Sequence, residues 1–120
     1  MSFSFLGLFA QTNKFKTIDV AEFAKAVADT SYVVLDVRTA AEHAEGHIPG
    51  THFNIDVLED SYPEEALKMI PKDKPVALYC RSGNRSKNAA RILAENGYQV
   101  VELGTGYRGW MAADKPINKK

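Results

Sequence analysis

An α/β fold, with a parallel sheet covered by helices on both faces, is predicted by three features of this chain. Two segments, "YVVLDV" (Tyr32–Val37) and "VALYC" (Val76–Cys80), are nearly continuous apolar runs, as expected of strands buried on both faces. Helical patterns lie between and after them, so successive strands are joined by right-handed crossovers. No internal repeat and no Pro/Gly/Ser-rich linker divides the 120 residues. They therefore form one domain, long enough to bury roughly two-thirds of its unfolded surface.

The elements follow in order. "MSFSFLGLFA" opens the chain. It is too short to span a bilayer and lacks the basic start and small-x-small cleavage pattern of a secretory signal. Residues 1–16 are therefore expected to form an apolar arm in which Phe3, Phe5, Leu6 and Phe9 pack on the domain or on a neighbour. The domain is expected to run over 17–117. In "TIDVAEFAKAVAD", Asp19 caps a helix, Glu22 is placed to close a capping box, and Ile18 faces Phe23 as a hydrophobic staple. Val20, Phe23, Ala24 and Val27 make its apolar stripe. After the Tyr32–Val37 strand, "TAAEHAEG" carries a second Thr-x-x-Glu box and stops at Gly46. Pro63–Ile70 reads as a helix with proline and two acids in its first turn. The Val76–Cys80 strand follows, then a helix over Ser86–Asn96 ended by Gly97. "YQVVEL" (Tyr98–Leu103) is a third strand, "YRGWMAA" a last short helix, and 118–120 a frayed tail.

Composition narrows the function. Fifteen basic and fifteen acidic residues give a formal net charge of zero, which provides no drive toward nucleic acid or an anionic membrane. One cysteine rules out an internal disulfide and any multi-cysteine metal site. A free thiol suits a reducing compartment, so a cytoplasmic location is expected.

That cysteine, Cys80, ends a strand, the place where parallel sheets bind ligands. Buried at a strand end, a free cysteine is usually just a small apolar side chain. Its surroundings argue otherwise. No acidic residue occurs between Asp73 and Glu95, while Lys74, Arg81, Arg85, Lys87 and Arg91 are all basic. With Ser86 as the expected cap, the loop ends at the positive end of a helix. Gly83 permits the positive φ that an inward-facing nest of amides needs, and Asn84 tolerates it. Such surroundings favour the thiolate, the nucleophilic form.

"LDVRTAAEHAEGHIPGTHFNI" (Leu35–Ile55), "YCRSGNRS" and "VELGTGYRGW" (Val101–Trp110), in this order and spacing, resemble the rhodanese domain family of sulfurtransferases. The resemblance covers Thr17 to about Ile117. It implies a central, mostly parallel five-stranded sheet flanked by helices on both faces. It implies two-step sulfur transfer: Cys80 takes the outer sulfur of a donor such as thiosulfate as a persulfide, then yields it to cyanide or a thiol. The persulfide would be held by the loop residues Arg81, Ser82, Gly83, Asn84 and Arg85, with no metal and no organic cofactor. Partners would be a small-molecule donor and acceptor, or a protein persulfide donor or acceptor, and neither nucleic acid nor membrane.

Loop length separates a rival. Cysteine-dependent phosphatases and arsenate reductases of the same fold resemble Cys-x5-Arg, whereas Arg85 here follows Cys80 after four residues. The shorter cradle suits a single sulfur, and no acid lies in or just after the loop to protonate a leaving alkoxide. A persulfide carrier serving protein partners stays as the alternative to an enzyme acting on small donors. Two-domain thiosulfate enzymes of the family carry arginine where this chain has Glu42 and lysine where it has Ser82, which bears on donor choice. Mercaptopyruvate enzymes resemble Cys-Gly-Ser-Gly, and Arg81 replaces that glycine. Thr105 stands where the family usually has the first of two glycines.

Four residues are expected to support the pocket. Asp36 and Arg38 should brace neighbouring loops as a buried pair. Glu42 is both a cap and a rim residue, and His47 holds the Pro49-Gly50 turn. His43, His47 and His52 are not expected to bind a metal, because Gly46 and that turn break any shared helical face. Trp110, Tyr107 and Phe53 read as core and rim aromatics.

Overall fold

The computed structural model describes residues 14–119. The apolar arm expected over residues 1–16 lies outside the described residues as far as residue 13. Five strands alternate with helices: β1 (Lys16–Ile18), α1 (Val20–Ala28), β2 (Val33–Asp36), α2 (Ala40–Glu45) and β3 (Phe53–Asn54) come first. They are followed by α3 (Tyr62–Met69), β4 (Val76–Tyr79), α4 (Asn84–Glu95), β5 (Val100–Leu103) and α5 (Gly106–Ala112). One sheet has the order β1-β5-β4-β2-β3, and every neighbouring pair is parallel. The α/β class and the five-stranded sheet thus stand as expected.

The central strands β2 and β4 are buried along their whole length, which explains their unbroken apolar pattern. Side chains alternate across the sheet with period two. Val76, Leu78 and Cys80 join the core beneath α3 and α4, whereas Ala77 and Tyr79 join the core beneath α1 and α5. Cys80 is thereby delivered to the α4 side of the sheet, where its own loop turns into that helix. β1 and β3, of three and two residues, are the edge strands. Segments that short carry no readable alternation.

Capping chemistry sets most boundaries. Asp19 accepts the Glu22 backbone N–H at 2.9 Å, although Glu22 makes no return bond, so α1 has half of the expected box. Thr39 and Glu42 form the complete reciprocal box at α2. The tail differs from expectation: Asn118 and His47 exchange backbone hydrogen bonds, both of 2.8 Å, so Asn118 is tied to the domain rather than frayed. Phe15 and Lys16, placed in the arm by sequence, likewise belong to the folded unit as core contact and β1. Among the described residues no helix is long and apolar enough to cross a membrane.

Candidate active site

The loop after β4 wraps the Cys80 sulfur, which is almost wholly buried. The Gly83 N–H donates to Cys80 Sγ at 3.1 Å. Gly83 has φ of 101°, so the left-handed turn foreseen at this glycine is present. A Cβ at Gly83 would lie 2.1 Å from the Gly104 carbonyl oxygen, so only glycine lets the loop settle against the end of β5. Helix α4 begins at Asn84, two residues earlier than expected, and no side chain caps it. Ser86, the expected cap, instead buries its hydroxyl and donates to Glu102 Oε1 at 2.5 Å. Among the described residues, the first-turn amides of α4 therefore have no side-chain acceptor, at the positive end of the helix.

α5 holds the other flank of the loop. Tyr107 N–H donates to the Cys80 carbonyl at 2.8 Å and Arg108 N–H to the Arg81 carbonyl at 2.9 Å. These bonds need a close backbone approach. Gly106, with φ of 68°, supplies it: a Cβ there would sit 2.4 Å from the Arg81 oxygen and 2.7 Å from the Ser82 nitrogen. Thr105, the departure from the family pattern, is accommodated because its side chain lies over Gly109, where any Cβ would collide with it. Arg81, Ser82 and Asn84 are exposed on the loop surface.

Arg85 does not stand free. It makes a two-pronged ion pair with Glu42, Nη1 to Oε1 at 2.8 Å and Nη2 to Oε2 at 3.0 Å. The guanidinium hydrogen bonds hold the Glu42 carboxyl well below the usual range, at about 2, against the opposing effect of burial. The same pairing raises the already high Arg85. The sequence suggested a loop dominated by uncompensated positive charge; one of its two arginines is in fact matched by a carboxylate 43 residues earlier.

The expected Asp36–Arg38 pairing is present, and both residues are buried. Arg38 Nε and Nη2 donate to the two Asp36 oxygens at 2.9 and 2.7 Å, and Nη2 also reaches the Gly46 carbonyl at 2.7 Å. Burial works against the Arg38 charge, but the hydrogen bonds and charge of Asp36 more than offset it. The guanidinium lies over the Tyr107 ring at 4.3 Å, which links α2 to α5 across the sheet end.

The histidines serve different bonds. His47 does not bond the Pro49-Gly50 turn as expected, which Thr51 closes onto the Ile48 carbonyl: its Nδ1 donates to the His43 carbonyl at 3.0 Å, and its ring stacks on His43 at 3.9 Å. His43 Nδ1 meets Asp36 Oδ2 at 2.9 Å, and His52 Nδ1 accepts the Val34 N–H at 2.9 Å. An open cavity of about 320 Å³ lies beside the loop, walled by Arg38, Glu42, Arg81, Tyr107, Arg108 and Met111 among others.

Sequence reasoning passed over Glu102. It is fully buried in β5 and gathers three donors: Thr17 Oγ1 at 2.5 Å, Ser86 Oγ at 2.5 Å and Lys87 Nζ at 3.2 Å. The available signal was an acid in the middle of the otherwise apolar "VVEL", since a buried charge requires partners.

The rhodanese-like domain family model matches residues 19–113. A sulfurtransferase from Allochromatium vinosum is 39% identical over 104 residues, which span 83% of this chain and 92% of that relative. A thiosulfate sulfurtransferase from Pseudoalteromonas translucida is 28% identical over 100 residues, or 82% of this chain and 91% of the relative. The crystal structure of a rhodanese-related protein from Thermoplasma volcanium superposes with a TM-score of 0.77 at 29% identity, covering 88% of this chain and all of that one. A family model matched over most of the chain, together with a shared fold, leads to one conclusion: this protein belongs to the rhodanese-like domain family.

Proposed function

We propose that this protein is a sulfurtransferase that carries a sulfane sulfur as a persulfide on Cys80. The observation that carries the reading is the Gly83 N–H on Cys80 Sγ, inside a six-residue loop that ends at the uncapped start of α4. Amides arranged in this way favour a thiolate and would equally favour the anionic terminal sulfur of a persulfide. With thiosulfate, the Cys80 thiolate attacks the outer sulfur. A new S–S bond forms as the old one breaks, and sulfite leaves with its electron pair. Cyanide or a thiolate then attacks the terminal sulfur, and Cys80 leaves as thiolate. Charge balances in both steps and no cofactor is required. Arg81, Ser82, Gly83, Asn84 and Arg85 form the cradle, with Asp36, Arg38, Glu42 and His47 holding its walls. A cytoplasmic location, where reductants keep the thiol free, suits this chemistry.

A second reading is favoured by one specific contact. Glu42 occupies both prongs of Arg85, withdrawing that arginine from a donor sulfonate. A persulfide carrier exchanging sulfur with protein partners needs no such sulfonate site.

Intact-mass spectrometry of the reduced protein after incubation with thiosulfate tests both. Gain of one sulfur, released as thiocyanate over many turnovers on adding cyanide, is the result expected of a thiosulfate enzyme. Loading only from a protein or cysteine-derived persulfide would select the carrier. Cys80→Ser should keep the fold and lose all loading. Sulfur still gained by that variant would refute the mechanism.

A further inference from the structure

Lys87 lies in the first turn of α4, where a positive charge opposes the helix macrodipole. It is not simply turned out to solvent. Its ammonium folds back over the start of the helix, donates to the Gly83 carbonyl at 3.0 Å, and lies 3.2 Å from the buried carboxylate of Glu102. Gly83 is the residue whose N–H meets the Cys80 sulfur. Both polar groups of its backbone are therefore committed, one to the thiol and one to Lys87.

We propose that Lys87, anchored by Glu102, is a positioning residue that holds Gly83, the amide donor to the sulfur of Cys80, in place. This rests on the persulfide reading above. A peptide unit is planar and trans, so its carbonyl and N–H point in opposite directions. While the Gly83 carbonyl is held against Lys87, the N–H of Asn84 faces the other way, out of the helix start and into the loop. That carbonyl belongs to the residue before α4, the position whose carbonyl takes the first backbone bond of a helix, and the ammonium of Lys87 adds a charge-assisted bond to it. With its carbonyl held there, Gly83, a residue type that occupies both hands readily, is kept in the left-handed conformation in which its own N–H meets the sulfur.

Glu102 makes the arrangement possible in two ways. It compensates a lysine at the wrong end of a helix dipole. It also takes the buried Ser86 hydroxyl, which ties the first turn of α4 to β5. Thr17 fixes the carboxylate from β1, so the anchor spans the edge of the sheet.

The test compares wild type, Lys87→Met, Lys87→Arg and the double variant Lys87→Met/Glu102→Gln. The measurements are iodoacetamide alkylation of Cys80 against pH, sulfur loading by intact mass, and urea unfolding. Because it strands the buried Glu102 carboxylate, Lys87→Met should unfold at a lower midpoint than wild type. It should load roughly tenfold more slowly, the loss expected for one charge-assisted bond, and its alkylation profile should move to higher pH. Lys87→Arg, which keeps the charge and a donor, should recover most of the rate. Should Lys87→Met be poorly folded, the double variant removes the stranded buried charge and should show the same slow loading. Wild-type rates and an unmoved alkylation profile in a folded Lys87→Met or double variant would overturn the proposal. A wild type that takes up no sulfur would overturn the persulfide reading instead, and the alkylation profile would still decide the role of Lys87.

Discussion

Replacing Glu42 by Gln isolates the charge that faces Arg85. Glutamine keeps a carbonyl for the Thr39 N–H, which Glu42 accepts at 3.0 Å, so the cap of α2 should survive. What disappears is the ionised partner of the guanidinium. The Glu42 carboxyl is lowered from 4.5 to about 2 in the fold. A depression of that size is worth at most about 3 kcal/mol at a pH above both values. The pair is about one-fifth exposed, and solvent screening brings this to about 1–2 kcal/mol. Because the folded value is the lower one, the contribution is complete above the unfolded carboxyl's range and fades as pH falls toward about 2. Urea unfolding followed by the fluorescence of Trp110, the only tryptophan, should therefore show wild type ahead of Glu42→Gln near pH 7, with the gap closing near pH 3. A gap of the same size at both pH values would refute the electrostatic account. In the same variant the freed Arg85 fork should raise kcat/KM for thiosulfate, by roughly tenfold for one new charge-assisted contact. An unchanged value would mean that Arg85 does not reach the donor.

Other perturbations probe the walls of the site. Arg85→Ala leaves Glu42 unpaired at the loop, so alkylation of Cys80 should shift to higher pH; an unmoved pH–rate profile would show that this charge does not act on the thiol. Gly106→Ala forces a side chain into a left-handed position against Arg81 and Ser82, costing about 1–3 kcal/mol in backbone strain alone. It should abolish sulfur loading while far-UV circular dichroism stays close to wild type. Tyr79→Phe removes a buried hydroxyl that accepts the Ile48 N–H at 3.1 Å and bonds Thr51 Oγ1 at 2.9 Å. The orphaned Ile48 amide should cost about 1–3 kcal/mol of stability with no change in the alkylation profile of Cys80, read by denaturant unfolding and iodoacetamide kinetics.

Local order carried much of the fold. Tyr32–Val37 and Val76–Cys80 could be recognised as buried strands because a strand covered on both faces must be apolar throughout, a property of contiguous residues. The Thr39–Glu42 box, the Asp19 cap and the Gly97 stop act within four residues of one another, so their chemistry is written in the chain. Cys80 at a strand end ahead of a glycine-containing basic loop was legible for the same reason. The edge strands β1 and β3 were not readable from the residues, being too short for a period to show. The start of α4 was misplaced because Ser86 had two possible acceptors, and only the packed structure brings the Glu102 carboxylate to it. Charge was the other thing decided in three dimensions. A count along the chain makes the loop basic, but folding sets Glu42 on Arg85 and Glu102 on Lys87, and no local rule pairs residues 43 or 15 positions apart. The amino-acid sequence alone determined a parallel α/β domain with a thiol at the ligand-binding end of its sheet. Tertiary structure decided which charges around that thiol are free, because a buried carboxylate finds its partners by proximity in space rather than along the chain.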